Sequence, residues 1–507
     1  MQTNLTSKEY VIHKWINPNT IEKRKYQDDI VSRAVSKNTL VVVPTGLGKT
    51  SIAALVVADR LQKDMHKKIM FLAPTKPLVD QHRDTFERVM KIGSSELKTI
   101  TGTTGPGIRA LLYNKADVVF STPQTIENDL KNNILDFKEY SLLIVDEAHR
   151  CVGNYAYVFV AEQYMRTAKS PLVLALTASP GSNKDKIDEI KKRLFIENVE
   201  IKDREDEDVK PYVQKQSQAF IQVDLIPELR TISTELSTYR NSLINLLMSW
   251  KIIHFAKIGK VDLLKLQAQL ARSKSGSSFG AMSYIAEILK IDHALILAET
   301  QSVYALGNYL ESLELEKSKA AGRLIKSSAF EKSIEIVKRL EEYSIEHPKM
   351  NKLKEIIQNE MLRKRKVIIF AQYRDTINKI VKELKQIENS KPVGFFGQAN
   401  RVDKGLSQKE QIQILNEFKL GFYNILVCTS IGEEGLDIAE TDTVIFYEPI
   451  PSEIRKIQRA GRTARTKAGK VLVMMTKGTR DEAFYWSAYH KENKMKQILH
   501  KMREEQK

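Results

Sequence analysis

Cysteine is nearly absent. Two residues in 507, Cys151 and Cys428, lie too far apart for a disulfide framework or a Cys-rich zinc site. Each reads as a small buried side chain, the commonest fate of a free cysteine. No apolar run approaches the roughly 20 residues that a membrane span needs. The stretch from Met1 to Asn19 is polar and has no apolar signal-peptide core. These absences argue against a membrane partner and for a cytoplasmic protein. No self-similarity recurs at the period of a solenoid.

Positive charge is in excess. Lys and Arg number 80 against 63 Asp and Glu, a formal net charge of +17, with a pI near 9.4. Clustered cations release condensed counterions when they meet phosphates, so a polyanion partner is the leading explanation; a solubility charge is the alternative. Hydrophobic residues make up 42% and charged residues 28%, a globular balance that excludes wholesale disorder. At this length two to four domains are expected.

Two stretches share one texture, short apolar runs alternating with amphipathic helical segments. In the first, Leu40–Val43, Ile69–Leu72, Val118–Phe120, Leu142–Val145 and Leu172–Leu176 read as buried strands. The second contains Val367–Phe370, Ile425–Cys428, Val444–Tyr447 and Val471–Met475. Apolar runs without alternation, spaced by helices, indicate parallel sheets covered on both faces. The fold class is therefore α/β, with parallel-sheet domains over residues 1–205 and 348–490.

The charged segment Lys202–Lys210 reads as a linker. Beyond it, Leu243, Leu246, Leu247, Trp250 and Ile253 fall on one face of a helix, as do Ile285, Ile288, Leu289, Leu295 and Ile296. Residues 206–347 are thus a mostly helical insert, with a flexible Ser/Gly-rich loop at Arg272–Gly280 and a helix stop at His347-Pro348. Residues 491–507 form a charged, helix-prone tail, either docked through Met495, Ile498 and Met502 or frayed in solvent.

Directly after the first apolar run comes Pro44-Thr-Gly-Leu-Gly-Lys-Thr50, followed by a helical continuation. A strand, a Gly-containing loop and a helix opening on Gly-Lys-Thr form a phosphate cradle. Thr45, Gly46 and Gly48 belong to the loop, whose glycines let backbone N–H groups approach phosphate. Lys49 supplies a cation for the β/γ oxygens, and the Thr50 hydroxyl can ligate Mg²⁺. The strict pattern also wants glycine where Val43 stands. Downstream, Leu142–Val145 runs into Asp146-Glu147-Ala148-His149. A strand ending in adjacent carboxylates assigns Asp146 to the metal shell and Glu147 to water positioning for hydrolysis, with ATP and Mg²⁺ as the cofactors.

Asp-Glu-Ala-His is the Walker B form of superfamily 2 helicases, and further strings resemble that family's motifs in order. Ala73-Pro-Thr-Lys-Pro-Leu78, Thr101-Gly102 and Ser121-Thr-Pro-Gln124 are similar to its strand-contacting motifs, and Thr177-Ala-Ser179 to its coupling motif. Phe370–Arg374 and Cys428–Asp437 resemble motifs IV and V, and Gln458–Arg465 resembles motif VI, with Ala464 in place of the usual glycine. The resemblance implies two RecA-like motor domains. It makes Thr75, Lys76, Thr101, Gly102, Thr122 and Thr429 nucleic-acid contacts, and Asp437 a nucleotide contact. His149, Thr177 and Ser179 become coupling residues. Gln458, Arg462 and Arg465 reach the nucleotide from the second domain when the cleft closes. Gln27 stands where such helicases read adenine; an ordinary surface glutamine is the alternative.

Longer strings narrow the resemblance. Val43–Thr50, Thr122–Asp129, Asp146–Tyr157 and Lys477–Ala483 are similar to the archaeal Hef helicases, relatives of the Fanconi-anaemia-type DNA translocases. That resemblance implies single-stranded, forked or four-way DNA as substrate and a nucleoid-associated enzyme of fork repair. It places a branch-contacting role on the insert, where Lys251, Lys257 and Lys260 are candidates; a solvated helix face is the alternative. No Glu-Arg-Lys nuclease signature is present, so nuclease activity is not expected of this sequence; a nuclease or a sliding clamp is a candidate partner, which the sequence itself does not decide. Two other readings remain: a duplex-RNA-stimulated ATPase of the RNA-sensor or Dicer type, and an inert nucleic-acid scaffold. Retention of Lys49, Glu147 and Arg465 speaks against the scaffold.

Overall fold

The computed structural model describes residues 9–63, 68–213, 216–273, 276–397, 405–429, 441–460 and 469–505, with the side chains of 276, 277, 453 and 458 excepted. Seven strands make the first sheet: β1 (Thr39–Val42), β2 (Lys68–Leu72), β3 (Leu97–Ile100), β4 (Val118–Ser121), β5 (Tyr140–Val145), β6 (Val173–Thr177) and β7 (Asn198–Ile201). Their order is β3-β4-β2-β5-β6-β1-β7. The second sheet contains β8 (Gln216–Val223), β9 (Val367–Phe370), β10 (Pro392–Phe395), β11 (Ile425–Cys428), β12 (Thr443–Phe446) and β13 (Gly469–Thr476), ordered β10-β11-β9-β12-β13-β8. Every pairing in both sheets is parallel.

Alternate residues of each strand enter opposite cores, which is why the runs are continuously apolar. Val41, Ile69, Phe71 and Ile144 face one side of the first sheet, while Leu40, Met70, Leu143 and Val145 face the other. Ile369, Val427 and Ile445 oppose Phe370, Leu426 and Val444 in the second. These are two RecA-like α/β domains. Both cysteines are buried and neither is in a disulfide, and burial pushes the Cys151 thiol up to about 12.

Between β8 and β9 of the second sheet the chain forms the helices Pro227–Ser249, Lys260–Ser273, Gly276–Thr300, Val303–Glu314, Lys319–Leu324 and Ser328–Glu342, which share one core around Leu247, Ile285, Leu295 and Leu306. Ser302, Ser318 and Ser327 cap the last three by accepting backbone N–H bonds, each worth about 1 kcal/mol.

Three features differ from the sequence reading. Residues 216–223 form β8 of the second sheet, so the helices of the 206–347 segment begin only at Pro227. The Ser/Gly-rich stretch 272–280 is mostly helical on both sides of 274–275, which lie outside the described residues. Burial of Ala281 and Ile285 against the neighbouring helix core outweighs its poor helix propensity. The tail is no separate piece but the second half of a 25-residue helix, Arg480–Glu504. Met495 and Met502 are buried, and Met502, Ile498 and Leu499 join the core of the first domain. No helix among the described residues is long and apolar enough to cross a membrane.

Candidate nucleotide and nucleic-acid site

The carboxyl ends of the first sheet's strands carry nearly every first-domain residue singled out above. Pro44–Thr50 follows β1, Asp146 and Glu147 follow β5, and Thr177 ends β6; these three strands are neighbours. Gly46 and Gly48 adopt φ of 89° and 80°, a left-handed region open to glycine. The loop delivers Lys49 to the first turn of the helix Lys49–Lys63, where backbone N–H groups point outward. Lys49 Nζ donates to the Val43 carbonyl at 3.3 Å. Thr45, Gly46, Lys49 and Thr50 all keep solvent access.

Gln27 is buried rather than on the surface. Its amide nitrogen donates to the Leu47 carbonyl at 3.1 Å, and the Tyr26 hydroxyl donates to the same oxygen at 2.7 Å. A Cβ on Gly48 would displace the Gln27 amide from its bond to Leu47, and the left-handed φ of Gly48 itself favours glycine.

Asp146 is buried, and burial alone would raise its carboxyl. The hydrogen bond and charge of His82, the Lys49 charge and the Glu147 backbone N–H outweigh that and hold it below the usual carboxylate range. His82 Nε2 donates to Asp146 Oδ2 at 2.8 Å. Glu147 sits at φ 50°, a left-handed backbone rare for a residue with a side chain. Its carboxylate lies 3.3 Å from His149 Nδ1. The same ring nitrogen lies 3.3 Å from the Thr177 hydroxyl, which donates to the Ser179 carbonyl at 3.0 Å. Ser179 in turn donates to Met495 Sδ at 2.9 Å. Thus His149, Thr177 and Ser179 connect Glu147 to the C-terminal helix.

The residue set fits a nucleoside triphosphate with Mg²⁺: a left-handed glycine loop on a helix N-terminus, a lysine, a hydroxyl and a carboxylate held in its charged form.

The other half of the same sheet edge carries the strand-contact candidates. Thr75 and Lys76 follow β2, Thr101 and Gly102 follow β3, and Thr122 follows β4, again on neighbouring strands. Thr122 and Thr125 share a 2.9 Å hydroxyl hydrogen bond, and Gly102 leaves room beside Thr125. Arg109 braces this loop: Nε donates to Asp129 at 2.8 Å and a guanidinium NH₂ to the Thr104 carbonyl at 2.5 Å.

In the second domain Thr429 follows β11, and its N–H donates to the Phe395 carbonyl at 3.1 Å. Gln458 lies on the helix Glu453–Ala460, its side chain outside the described residues, as are Asp437, Arg462 and Arg465 altogether. Ile454 of that helix meets the first domain at Gly181, where an added Cβ would stand 3.9 Å from its Cδ1. Lys251, Lys257 and Lys260 are exposed on the helical insert, close to exposed Trp250 and Phe255.

Sequence reasoning missed His82, Arg109 and Asp129. Each occupies a core-facing position of a helix, and the available signal was a charged or titratable residue in the row of buried ones, as in Val79, His82 and Phe86.

Residues 24–187 match the DEAD/DEAH box helicase family and 348–467 the helicase conserved C-terminal domain. The crystal structure of the Pyrococcus furiosus Hef helicase domain is 41% identical, with a TM-score of 0.71 over 92% of this chain and 98% of that one. A putative ATP-dependent RNA helicase of Methanocaldococcus jannaschii is 41% identical over 97% of this chain and 63% of its own length. The ATP-dependent DNA helicase mph1 of Sclerotinia sclerotiorum is 34% identical over 95% of this chain and 42% of its own. The chain therefore spans less than two thirds of these curated relatives. With the Hef helicase domain covered almost end to end, the chain belongs to the Hef family of superfamily 2 DEAD/DEAH-box helicases.

Proposed function

We propose that this chain is an ATP-dependent DNA helicase or translocase motor that remodels forked and Holliday-type DNA in replication-fork repair and recombination. The observation that carries the reading is the chain of contacts from Glu147 through His149, Thr177 and Ser179 to Met495, because it joins a hydrolytic carboxylate to a helix rooted in the other motor domain.

In this reading Gly46, Gly48 and Lys49 hold the triphosphate of ATP, and Gln27 reads its adenine. Thr50 and Asp146 hold Mg²⁺, which when bound neutralises phosphate charge. Glu147 orients the attacking water and takes its proton. Arg462 and Arg465, with Gln458 and Asp437, complete the site from the second domain on closure; an arginine there is worth about 10³ or more in rate. Thr75, Lys76, Thr101, Gly102, Thr122 and Thr429 grip the strand backbone, so each closure moves the strand.

Phosphate contacts serve DNA and RNA alike. The fungal relative named as a DNA helicase favours DNA, whereas the name of the M. jannaschii relative keeps RNA as the competitor. Exposed Lys251, Lys257 and Lys260 offer a second duplex arm a contact that linear nucleic acid cannot use. The enzyme would work at the nucleoid, where a nuclease or sliding clamp is a candidate partner. The test is ATP turnover with single-stranded DNA, duplex DNA and duplex RNA. DNA stimulation that disappears in Lys49→Ala supports the reading; stimulation by RNA alone removes the DNA assignment.

A further inference from the structure

The carboxyl edge of the first sheet is divided. The strand-contact residues follow β3, β4 and β2, and the nucleotide residues follow β5, β6 and β1. The His82 side chain crosses the division. His82 lies on the helix Lys76–Val89, which begins at Thr75 and Lys76, and its Nε2 donates to Asp146 Oδ2 at the end of β5.

The rest of Asp146 is fixed by its backbone. Its N–H donates to the Leu72 carbonyl at 2.9 Å, and its carbonyl accepts the Tyr157 hydroxyl at 2.7 Å. The carboxylate is oriented by His82 and the Glu147 N–H. The imidazole is itself immobilised: its centroid lies 4.5 Å from the Phe71 ring, which packs on Phe86 of the same helix at 5.5 Å and on Phe120 at 5.4 Å. Thr75 and His82 are seven residues apart, about 10 Å along a rigid helix. A displacement at its N-terminus therefore reaches the carboxylate through one hydrogen bond.

We propose that His82 is a positioning residue for Asp146, and that through it a strand gripped at Thr75 and Lys76 sets how tightly the site holds Mg²⁺. This rests on the reading of Asp146 as the metal-side acid and of Thr75 and Lys76 as strand contacts. Groups that orient a metal-ligating side chain typically carry 10–100-fold in metal affinity. The helix thus supplies a route from strand to metal that is separate from domain closure.

The test measures equilibrium binding of a fluorescent ATP analogue as Mg²⁺ is titrated, with and without a single-stranded oligonucleotide. In the native chain the strand lowers the Mg²⁺ midpoint. His82→Phe keeps a packed ring but has no donor. It raises the midpoint by about 10–100-fold and abolishes the shift caused by the strand, while metal-free nucleotide binding stays unchanged. His82→Ala does the same, and His82→Gln, which restores an N–H donor, brings both back to within a few-fold. Asp146→Asn separates the layers. If it leaves the midpoint unmoved, the metal assignment falls and the proposal with it. If it moves the midpoint while folded His82→Phe and His82→Ala do not, the role of His82 alone is overturned. Failure of His82→Gln to rescue likewise overturns the hydrogen bond as the cause.

Discussion

The Ser179 hydroxyl of the first motor domain donates a 2.9 Å hydrogen bond to the sulfur of Met495. Met495 lies on the helix Arg480–Glu504, whose early turns pack against β13 and the helix Glu453–Ala460 and whose last turns pack on β7. At 1.5 Å per residue this element is about 37 Å long, enough to tie the two sheets together. Arg503 fastens its far end to Asp206 at 2.7 Å, and Lys456 meets Glu492 at 2.8 Å near its middle.

Met495→Ala should loosen that tie. Truncating a buried methionine typically costs about 2–5 kcal/mol, here spread over the last turns of the helix. Hydrogen exchange across residues 495–505 should accelerate while β1, β5 and β6 stay protected, and Met495→Leu should restore protection. Unchanged exchange in Met495→Ala would show that the contact does not hold the helix.

Lys49→Ala should nearly abolish ATP turnover, and Glu147→Gln should bind ATP without hydrolysing it. Turnover and equilibrium binding of the two purified, folded variants check this. Native hydrolysis by either would remove that residue from the site.

If Arg462 and Arg465 act in the closed cleft as proposed, Arg462→Ala and Arg465→Ala should lower kcat by about 10³ with far smaller changes in ATP affinity. Measuring Kd beside kcat separates the two effects. A variant with full kcat has lost its claim to the site.

Most of the motor was legible in the sequence, and what escaped lacked a distinctive local pattern. The nine strands read as apolar runs are all internal to their sheets. The four that were missed, β3, β7, β8 and β10, are the edges. An edge strand is covered less completely, so Gln216–Val223 is largely exposed and polar and shows no continuous run. The same logic covers the site. Lys49, Asp146 and Glu147 follow internal strands and announce themselves, whereas His82 shares a helix face with Val79 and Phe86 and looks like core. The attachment of the helical part to the second domain also escaped. It runs through Glu299, bonded to Arg480 at 2.6 Å, and Gln301, which joins Thr376 at 3.0 Å and Glu448 at 3.3 Å. Only tertiary structure brings such residues together.

Glu448 gives this attachment a pH dependence. Burial pushes its carboxyl up to about 7, with Lys349 and Arg459 opposing the rise and Asp481 adding to it. A folded value above the unfolded one means that the protonated form is favoured in the fold. That stability is complete below the unfolded value near 4.5 and is lost as pH rises through about 7. One such group contributes at most about 1.4 kcal/mol per pH unit. Glu448→Gln should flatten the pH dependence of the melting temperature between about pH 5 and about pH 7.5, and melt above the native chain on the alkaline side. Equal slopes in the two proteins would exclude Glu448 as the source.

The central claim is an ATP-driven motor that prefers branched DNA through its helical insert. Its most direct test is ATPase stimulation by forked, four-way and linear duplex DNA and by duplex RNA, measured for the native chain and for a variant with Lys251, Lys257 and Lys260 neutralised together. Forked and four-way DNA should stimulate turnover more strongly than linear duplex or duplex RNA. In the variant that preference should fall while stimulation by single strands survives. Equal stimulation by branched and linear duplex in the native chain, or a preference untouched in the folded variant, would contradict it.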